Sequence, residues 1–130
     1  MAWIWITGLS GAGKTTLAKK LQKLFDNCII VEGSHIRQIT GITGYTEEER
    51  KKNMIIQYKL SKTFTKEGYN VISVSVTNPD TMFDRDYTLI YVNTPFNVCK
   101  ERRDFYGNEN VVGVDIEYDV VDPDIVVKGW

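Results

Sequence analysis

One segment near the start of the chain, Gly8-Leu9-Ser10-Gly11-Ala12-Gly13-Lys14-Thr15, constrains the fold more than any other feature. It fits the pattern GxxxxGK[ST] at every fixed position, and it lies between an apolar segment over 2–7 and a helical pattern that begins near Lys14. Glycines let successive backbone N–H groups face one anion, and the helix N-terminus adds a partial positive charge. The sequence therefore predicts a phosphate-binding loop between a strand and a helix.

The residue types in this loop predict ATP and Mg²⁺ as its ligands. Lys14 is predicted to reach the β and γ phosphates and to act in catalysis, because its charge stays fixed while the γ group transfers. The hydroxyl of Thr15 is a hard oxygen ligand and is predicted to bind Mg²⁺. The predicted nucleotide-binding residues of the loop and the first helical turn are Gly8, Ser10, Gly11, Ala12, Gly13, Lys14, Thr15 and Thr16.

Such a loop occurs in kinases, GTPases, ATPases and switch proteins, so the loop alone does not select an activity. The chain has 130 residues, which leaves little space for switch regions, and it contains no NKxD motif for guanine. We therefore expect a small kinase formed by a single domain over residues 1–130.

The composition excludes several classes of protein. Hydrophobic residues make up 42% and charged residues 25%, which is typical of a globular chain, and the net charge of -1 gives no overall basic bias toward nucleic acid. No apolar stretch reaches the roughly 18 residues of a membrane span, so we expect no membrane partner. Cys28 and Cys99 are predicted to be buried thiols of a cytoplasmic protein, and a homodimer stays an open alternative.

Strands and helices are predicted to alternate along the chain. After the first strand and helix, in which Leu17, Leu21 and Leu24 form the apolar face, a buried strand is predicted over 28–31. A short helix over 35–39 and a long helix that ends near Lys66 follow, the latter capped by Thr46 with Glu49. Further elements are predicted as strands over 69–76 and 88–92, a helix over 95–103, a loop over 104–112 and an apolar run over 125–127. This order predicts an α/β fold of the P-loop NTPase type, with a parallel sheet of about five strands flanked by helices.

Several segments resemble the adenylylsulfate (APS) kinase family. Segment 5–18, WITGLSGAGKTTLA, is similar to the opening of that family, and segment 32–37, EGSHIR, stands where the family has DGDN-I-R. Segments 44–53, 94–102 and 113–123 resemble its GFS…R..N, TPLxVCxxR and GIDxPYExPxxP motifs. The resemblance covers almost the whole chain and implies ATP-dependent phosphorylation of a hydroxyl on a nucleotide-like acceptor, with adenylyl sulfate as the first expectation.

The resemblance also implies roles for residues outside the loop. Arg37, Arg50 and Asn53 match positions that hold the acceptor nucleotide, and Tyr45 matches an aromatic residue that stacks on its base. Arg102 matches a lid-side arginine near ATP and is expected to be catalytic. These residue types suit the roles, since arginine binds phosphate through two parallel hydrogen bonds and tyrosine offers a stacking face. Arg50 also fits an alternative, because it lies in a charged run typical of a solvated helix face.

The sequence departs from the family at the expected general base. Ser34 stands where the family has the second Asp of DGDN, and it is retained here among the acceptor-binding residues. A serine does not take a proton near neutral pH, so Glu32 or His35 is predicted to replace it as a catalytic residue. The third alternative is a weak need for any base, because phosphoryl transfer depends mostly on positioning and charge neutralisation.

A second departure concerns the acceptor. The basic lid after the helix that ends near Arg102 is missing, and the aromatic residue of the family's FTGID segment is replaced by Val111 or Val112. A shortened lid would admit a larger acceptor, so two alternatives stay open besides adenylyl sulfate. One is a phage-type kinase that phosphorylates hydroxymethylpyrimidine bases such as hydroxymethyluracil, or 5′-hydroxyl ends, in nucleic acid. The other is a nucleotide-binding protein with little transfer activity.

Overall fold

The computed structural model describes residues 1–102, 120 and 122–129. The strands and helices alternate as the sequence predicts. The strands are β1 (Trp3–Thr7), β2 (Cys28–Glu32), β3 (Asn70–Ser75), β4 (Thr88–Asn93) and β5 (Ile125–Lys128). The helices are α1 (Lys14–Gln22), α2 (Gly33–Thr40), α3 (Glu47–Lys66) and α4 (Phe96–Arg102), with a 3-10 turn at Pro79–Thr81.

All five strands are parallel and form one sheet in the order β2-β3-β1-β4-β5. Parallel pairing requires the chain to return to the starting end of the sheet after each strand. Helix α1 lies in the connection after β1, α2 and α3 lie in that after β2, and α4 follows β4, whereas β3 is connected to β4 by segment 76–87 with its 3-10 turn. The carboxyl ends of all strands therefore meet at one edge, where ligands bind in open α/β sheets. The predicted α/β fold of the P-loop type is confirmed.

Strand β1 shows how the sequence fills both faces of the sheet. Trp3 and Trp5 pack on the face covered by α2 and α3, and Ile6 packs on the opposite face with α1 and α4. Each indole N–H finds a buried partner, since Trp3 Nε1 donates to Ser73 Oγ at 3.0 Å and Trp5 Nε1 donates to Ser75 Oγ at 2.8 Å. These bonds join β1 to β3 and remove the cost of burying two indole donors.

The first helix is shorter than predicted, and the prediction that Leu24 belongs to its buried face is wrong. Helix α1 ends at Gln22, and Leu24 is 77% exposed. The backbone N–H groups of Leu24 and Phe25 donate three residues back, to Leu21 and Gln22, which tightens the last turn. Leu24 therefore lies beyond the end of α1 and does not contribute to its buried face.

Strand β2 is less buried than the sequence predicts, because it lies at the edge of the sheet. Only Val31 of its five residues is fully buried. The following helix starts earlier than predicted, at Gly33, directly after Glu32 in extended conformation. The predicted loop over 104–112, the Val111 or Val112 position and most of segment 113–123 lie outside the described residues. Among the described residues, no helix is long and apolar enough to span a membrane.

Candidate active site

The loop between β1 and α1 has the backbone geometry of an anion cradle. Gly11 and Gly13 have φ values of 84° and 103°, a left-handed region that favours glycine. Gly8 passes so close to β4 that an added Cβ would lie 2.7 Å from the Val92 carbonyl oxygen. The loop therefore depends on glycine at these positions, and it leads into the first N–H groups of α1, which lack intrahelical acceptors.

The ammonium group of Lys14 lies inside this cradle. Lys14 is 9% exposed, and its Nζ donates to the carbonyl oxygens of Gly8 and Leu9, both at 2.8 Å. The acceptors of these two bonds are neutral carbonyl oxygens, so the bonds do not neutralise the charge of the buried ammonium group. The predicted position of Lys14 in the phosphate loop agrees with this geometry.

Two clefts meet at the loop. The α2–α3 cleft has a volume of about 580 Å³ and extends from the loop toward α2, α3 and the end of β3. The α1–β5 cleft has a volume of about 660 Å³ and extends toward α4 and the end of β5. Ser10, Lys14 and Thr15 line both clefts. A group held by these three residues is therefore accessible from both sides.

The α1–β5 cleft is electropositive. Its described lining includes Lys20, Arg102 and Lys128 but no carboxylate, in addition to the shared Lys14. The guanidinium group of Arg102 donates from Nη1 to Gly11 O at 2.9 Å and from Nη2 to Gly129 O at 3.0 Å. Arg102 therefore contacts the phosphate loop from within the α1–β5 cleft.

The α2–α3 cleft brings together three of the predicted acceptor-binding residues. The Arg37 guanidinium carbon lies 5.1 Å from the centroid of the Tyr45 ring, and Arg50 Nη1 donates to Tyr45 O at 2.6 Å. All three residues line the cleft. Burial lowers the pKa of the Arg50 guanidinium from its ordinary value, and the neighbouring Glu47 raises it in part. The group stays charged near neutral pH, because its ordinary pKa is above about 12.

Asn53 also lines the cleft, but its amide is engaged in holding the loop before α3. Its Nδ2 donates to Ile42 O at 2.8 Å, and its Oδ1 accepts from Thr40 Oγ1 at 2.8 Å.

The predicted cap of α3 also holds the loop that precedes this helix. Thr46 Oγ1 accepts from the Glu49 backbone N–H at 3.3 Å, as predicted, and the Glu49 carboxylate accepts from the backbone N–H of Gly44 at 3.0 Å.

The two candidate bases differ in their relation to the cleft. Glu32 ends β2 and lines the cleft, and its side chain is 15% exposed. His35 lies one turn into α2 with its side chain 62% exposed, and its Nε2 lies 3.8 Å from Glu32 Oε2. Ser34, which also lines the cleft, donates to the same carboxylate oxygen at 3.5 Å. The structure therefore brings the three predicted residues together around the Glu32 carboxylate.

The donor set fits Mg²⁺ held together with phosphates. Thr15 offers a hydroxyl oxygen at the point where the clefts meet, and Glu32 offers a carboxylate in the same cleft. Within the described part of the chain, no group of three or more His, Cys, Asp or Glu residues could hold a metal alone. Mg²⁺ normally keeps several waters and takes one or two protein oxygens beside the phosphates of a substrate, so a dedicated cage is not required.

The sequence patterns did not single out several residues that line these clefts. Ser75 ends β3 and Thr77 follows it, where the rule for carboxyl ends of parallel strands could have indicated them. Gln57 is one of the buried residues of α3, where a polar side chain only weakly indicates a functional role. Gly129 lies 27 residues beyond Arg102 in the chain, and nothing in the local sequence indicates its contact with the phosphate loop.

The chain matches the family model described as "Adenylylsulphate kinase" over residues 1–128. It is 29% identical to the cytidine diphosphoramidate kinase of Campylobacter jejuni over 143 residues, covering 96% of this chain and 84% of that protein. It is 30% identical to the adenylyl-sulfate kinase of Clostridium kluyveri over 146 residues, covering 96% of this chain and 73% of that protein.

The fold is similar to that of the Mycobacterium tuberculosis APS kinase solved with AMPPNP and APS. The TM-score is 0.78 at 19% identity, covering 98% of this chain and 87% of that one. Shikimate kinase from Bacteroides thetaiotaomicron is a more distant structural neighbour, with a TM-score of 0.57 at 20% identity, covering 84% of this chain and 70% of that one. The match to the family model covers nearly the whole of this chain. The chain therefore belongs to the adenylylsulphate kinase family and is an ATP-dependent kinase that transfers a phosphoryl group to a hydroxyl.

Proposed function

We propose that this kinase phosphorylates a hydroxyl group of a small nucleotide whose phosphate carries a further substituent. The relatives support this class of acceptor, since two of them are named for adenylyl sulfate and for cytidine diphosphoramidate. Each name describes a nucleotide with a derivatised phosphate. Adenylyl sulfate remains the first candidate acceptor, and cytidine diphosphoramidate is the second.

The observation that carries the proposal is the pair of clefts that share Ser10, Lys14 and Thr15. A nucleoside triphosphate in the α1–β5 cleft would have its γ phosphate at these shared residues. An acceptor in the α2–α3 cleft would reach the same point from the opposite side. This is the in-line arrangement that phosphoryl transfer requires.

The α2–α3 cleft has the size and chemistry for a nucleotide. Its volume of about 580 Å³ lies within the range of roughly 300–1,000 Å³ that is typical of small-molecule sites. Arg37 and Arg50 supply two cations for an acidic phosphate substituent, and the Tyr45 ring supplies an aromatic face.

The surface beside this cleft favours a small nucleotide over a nucleic acid strand. Binding to a strand needs lysines and arginines in a line along its phosphates. The first turns of α3 instead carry acidic residues, and their nearby lysines are already paired. Lys51 Nζ lies 3.0 Å from Glu47 Oε1, and Lys52 Nζ lies 3.2 Å from Glu48 Oε1.

In the proposed mechanism, the acceptor hydroxyl oxygen forms a bond to the γ phosphorus while the bond from that phosphorus to the bridging oxygen breaks and ADP leaves. Lys14 neutralises charge that develops on the transferring group, and Arg102 neutralises charge on the ATP side. Thr15 would hold Mg²⁺, which would supply positive charge beside the phosphate oxygens. The Glu32 carboxylate accepts the hydroxyl proton, because it lines the cleft whereas His35 is mostly exposed.

The acceptor can be identified with γ-labelled ATP and a panel of candidates. The panel comprises adenylyl sulfate, cytidine diphosphoramidate, free nucleosides, 5′-hydroxyl DNA and DNA that contains hydroxymethyluracil. We expect label on one of the two derivatised nucleotides. Label on either DNA would replace this acceptor class by nucleic acid, and ATP binding without transfer to any of these acceptors would support a binding protein.

Substitution of Lys14 tests the shared phosphate site. Lys14→Ala should lower kcat by at least about 100-fold, the usual effect of removing one preorganised charge donor. Lys19→Ala is the matched control, because Lys19 is exposed on the same helix and lines neither cleft. Equal activity of both variants would contradict the phosphate-cradle assignment.

The identity of the base is tested by two separate variants. Glu32→Gln should lower kcat by about 100-fold with little change in the KM of ATP, as expected for loss of a general base. His35→Ala should retain most activity. The reverse pattern would assign the proton to His35, and two fully active variants would mean that transfer needs no base.

A further inference from the structure

Gln57 is a buried polar residue in the middle of α3 that no predicted role uses. It is 1% exposed. Its Nε2 donates to Val31 O and to Val74 O, both at 2.9 Å. The two carbonyl groups belong to different strands, β2 and β3, near the carboxyl ends of both.

The orientation of this amide is determined by its partners. Backbone carbonyl oxygens only accept hydrogen bonds, so the amide nitrogen, which has two hydrogens, has to face them. The amide oxygen then takes the remaining direction, and an added Cβ on Gly33 would lie 3.7 Å from it. Gln57 therefore contacts the ends of two strands and the start of α2, and it lines the α2–α3 cleft.

The residues that accept these two hydrogen bonds are both neighbours of Glu32. Val31 directly precedes Glu32 in β2, and Val74 is the residue opposite Glu32 in the parallel register of β2 and β3. The backbone of Glu32 is thus tied to α3 through its own strand and through the neighbouring strand. Within the part of the chain that the structure describes, β2 has no strand on its outer side, so these bonds supply restraint that an edge strand otherwise lacks.

We propose that Gln57 is a positioning residue for phosphoryl transfer. It fixes the position and the direction of the Glu32 carboxylate in the cleft. This inference rests on the proposed function, in which Glu32 accepts the proton of the acceptor hydroxyl. An apolar side chain of similar volume would fill the same space without the cost of burying an amide. The amide instead fixes the separation of the two strand ends at the point where the reacting groups meet.

The test is Gln57→Met, which keeps a long side chain but removes both hydrogen bonds. We expect kcat to fall by about 100-fold, the effect of a misplacement of roughly 1 Å, while the KM of ATP and of the acceptor changes little. The matched control is Gln22→Met. Gln22 Nε2 donates to Cys28 O at 2.9 Å, so it makes the same kind of bond at the other end of the same strand, away from the cleft.

A double variant separates positioning from general damage to the fold. In the Glu32→Gln background, Gln57→Met should cause little further loss of kcat, because the group that it positions no longer accepts a proton. Losses that multiply in the double variant would overturn the proposal. A raised acceptor KM at unchanged kcat would also overturn it, because Gln57 would then act only through contact with the acceptor.

Binding of an ATP analogue confirms that each variant is folded at the phosphate loop. If Gln57→Met does not fold, Gln57→Leu provides the second variant, since it also removes both hydrogen bonds and buries no charge. It should lose kcat in the same way, and full activity of this variant would refute the inference. A wild-type enzyme that phosphorylates no acceptor would refute the proposed function as well, whereas an active wild type with an equally active Gln57→Met would refute only this inference.

Discussion

Gly129 should be required for full affinity at the proposed ATP site, although no sequence pattern marks it. An added Cβ at Gly129 would lie 1.9 Å from Thr94 Oγ1 and 2.0 Å from the Ala12 carbonyl oxygen. The second contact is with the backbone of the phosphate loop, which cannot rotate away. Because real Cβ contacts essentially never fall below 3.0 Å, Gly129→Ala has to move residue 129 and the loop apart by at least about 1 Å.

The displacement acts on ATP binding through Arg102. The bond from Arg102 Nη2 to Gly129 O is 3.0 Å long, and a shift of about 1 Å breaks it. Loss of one such bond costs about 1 kcal/mol. If ATP binds in the α1–β5 cleft as proposed, its binding should be about fivefold weaker. The collision itself should lower the free energy of unfolding by about 1–3 kcal/mol, which is typical of overpacking.

Calorimetric titration with a non-hydrolysable ATP analogue and Mg²⁺ measures the affinity, and urea unfolding measures the stability. Gly41→Ala is the control, because nothing lies within 4 Å of a Cβ at that position although its φ is +73°. It should lose stability through backbone strain but bind the analogue as the wild type does.

A second variant tests the cause. Thr94→Ala removes one collision partner, so in the Gly129→Ala background it relieves the contact with Thr94 Oγ1 but leaves that with Ala12 O. Affinity should therefore not recover in the double variant. Wild-type affinity and stability in Gly129→Ala would refute the reasoning, and recovery in the double variant would show that the phosphate loop is not the obstacle.

Two further predictions concern stability. Asn53→Ala should lower the free energy of unfolding by about 2 kcal/mol in urea titrations, because two hydrogen bonds of the loop before α3, to Ile42 and Thr40, are lost, while ATP affinity should not change. Tyr87 is 4% exposed, and burial, together with its 2.7 Å hydrogen bond to Asp80, raises the pKa of its phenol above the ordinary value. The unfolded chain then loses this proton from about pH 10 while the folded chain keeps it, so stability falls as pH rises above 10, by up to about 1.4 kcal/mol per pH unit. Tyr87→Phe should reduce this slope in alkaline unfolding curves, and an unchanged slope would contradict the assignment.

The parts of the fold that depend on local patterns could be predicted from the sequence. The phosphate loop, the start of α1 and the capped start of α3 each follow from residues within a few positions of one another. The prediction for Leu24 failed because α1 ends at Gln22, and the apolar spacing does not indicate where the helix ends. The burial of β2 was overestimated because strand order decides which strand is at the edge, and strand order depends on the whole chain.

The candidate site shows the same division. Arg37, Tyr45 and Arg50 could be named because they lie close in sequence and match a family motif, and the structure brings them together. Gln57 and Gly129 could not be named, because their roles depend on contacts with segments far away in the chain. The replacement of the expected Asp by Ser34 could be recognised, but only the structure indicates how Glu32 and His35 lie relative to the cleft.

The two clefts draw on different parts of the chain, and this separation has a consequence for specificity. Apart from the shared residues Ser10, Lys14 and Thr15, the α2–α3 cleft is lined by residues within 32–77, whereas the α1–β5 cleft is lined by the phosphate loop, by α1 and by residues within 92–129. In the proposed arrangement, changes within 32–77 therefore alter acceptor binding without disturbing the cleft assigned to ATP. This separation offers a physical reason why relatives of this chain carry the names of two different nucleotide acceptors.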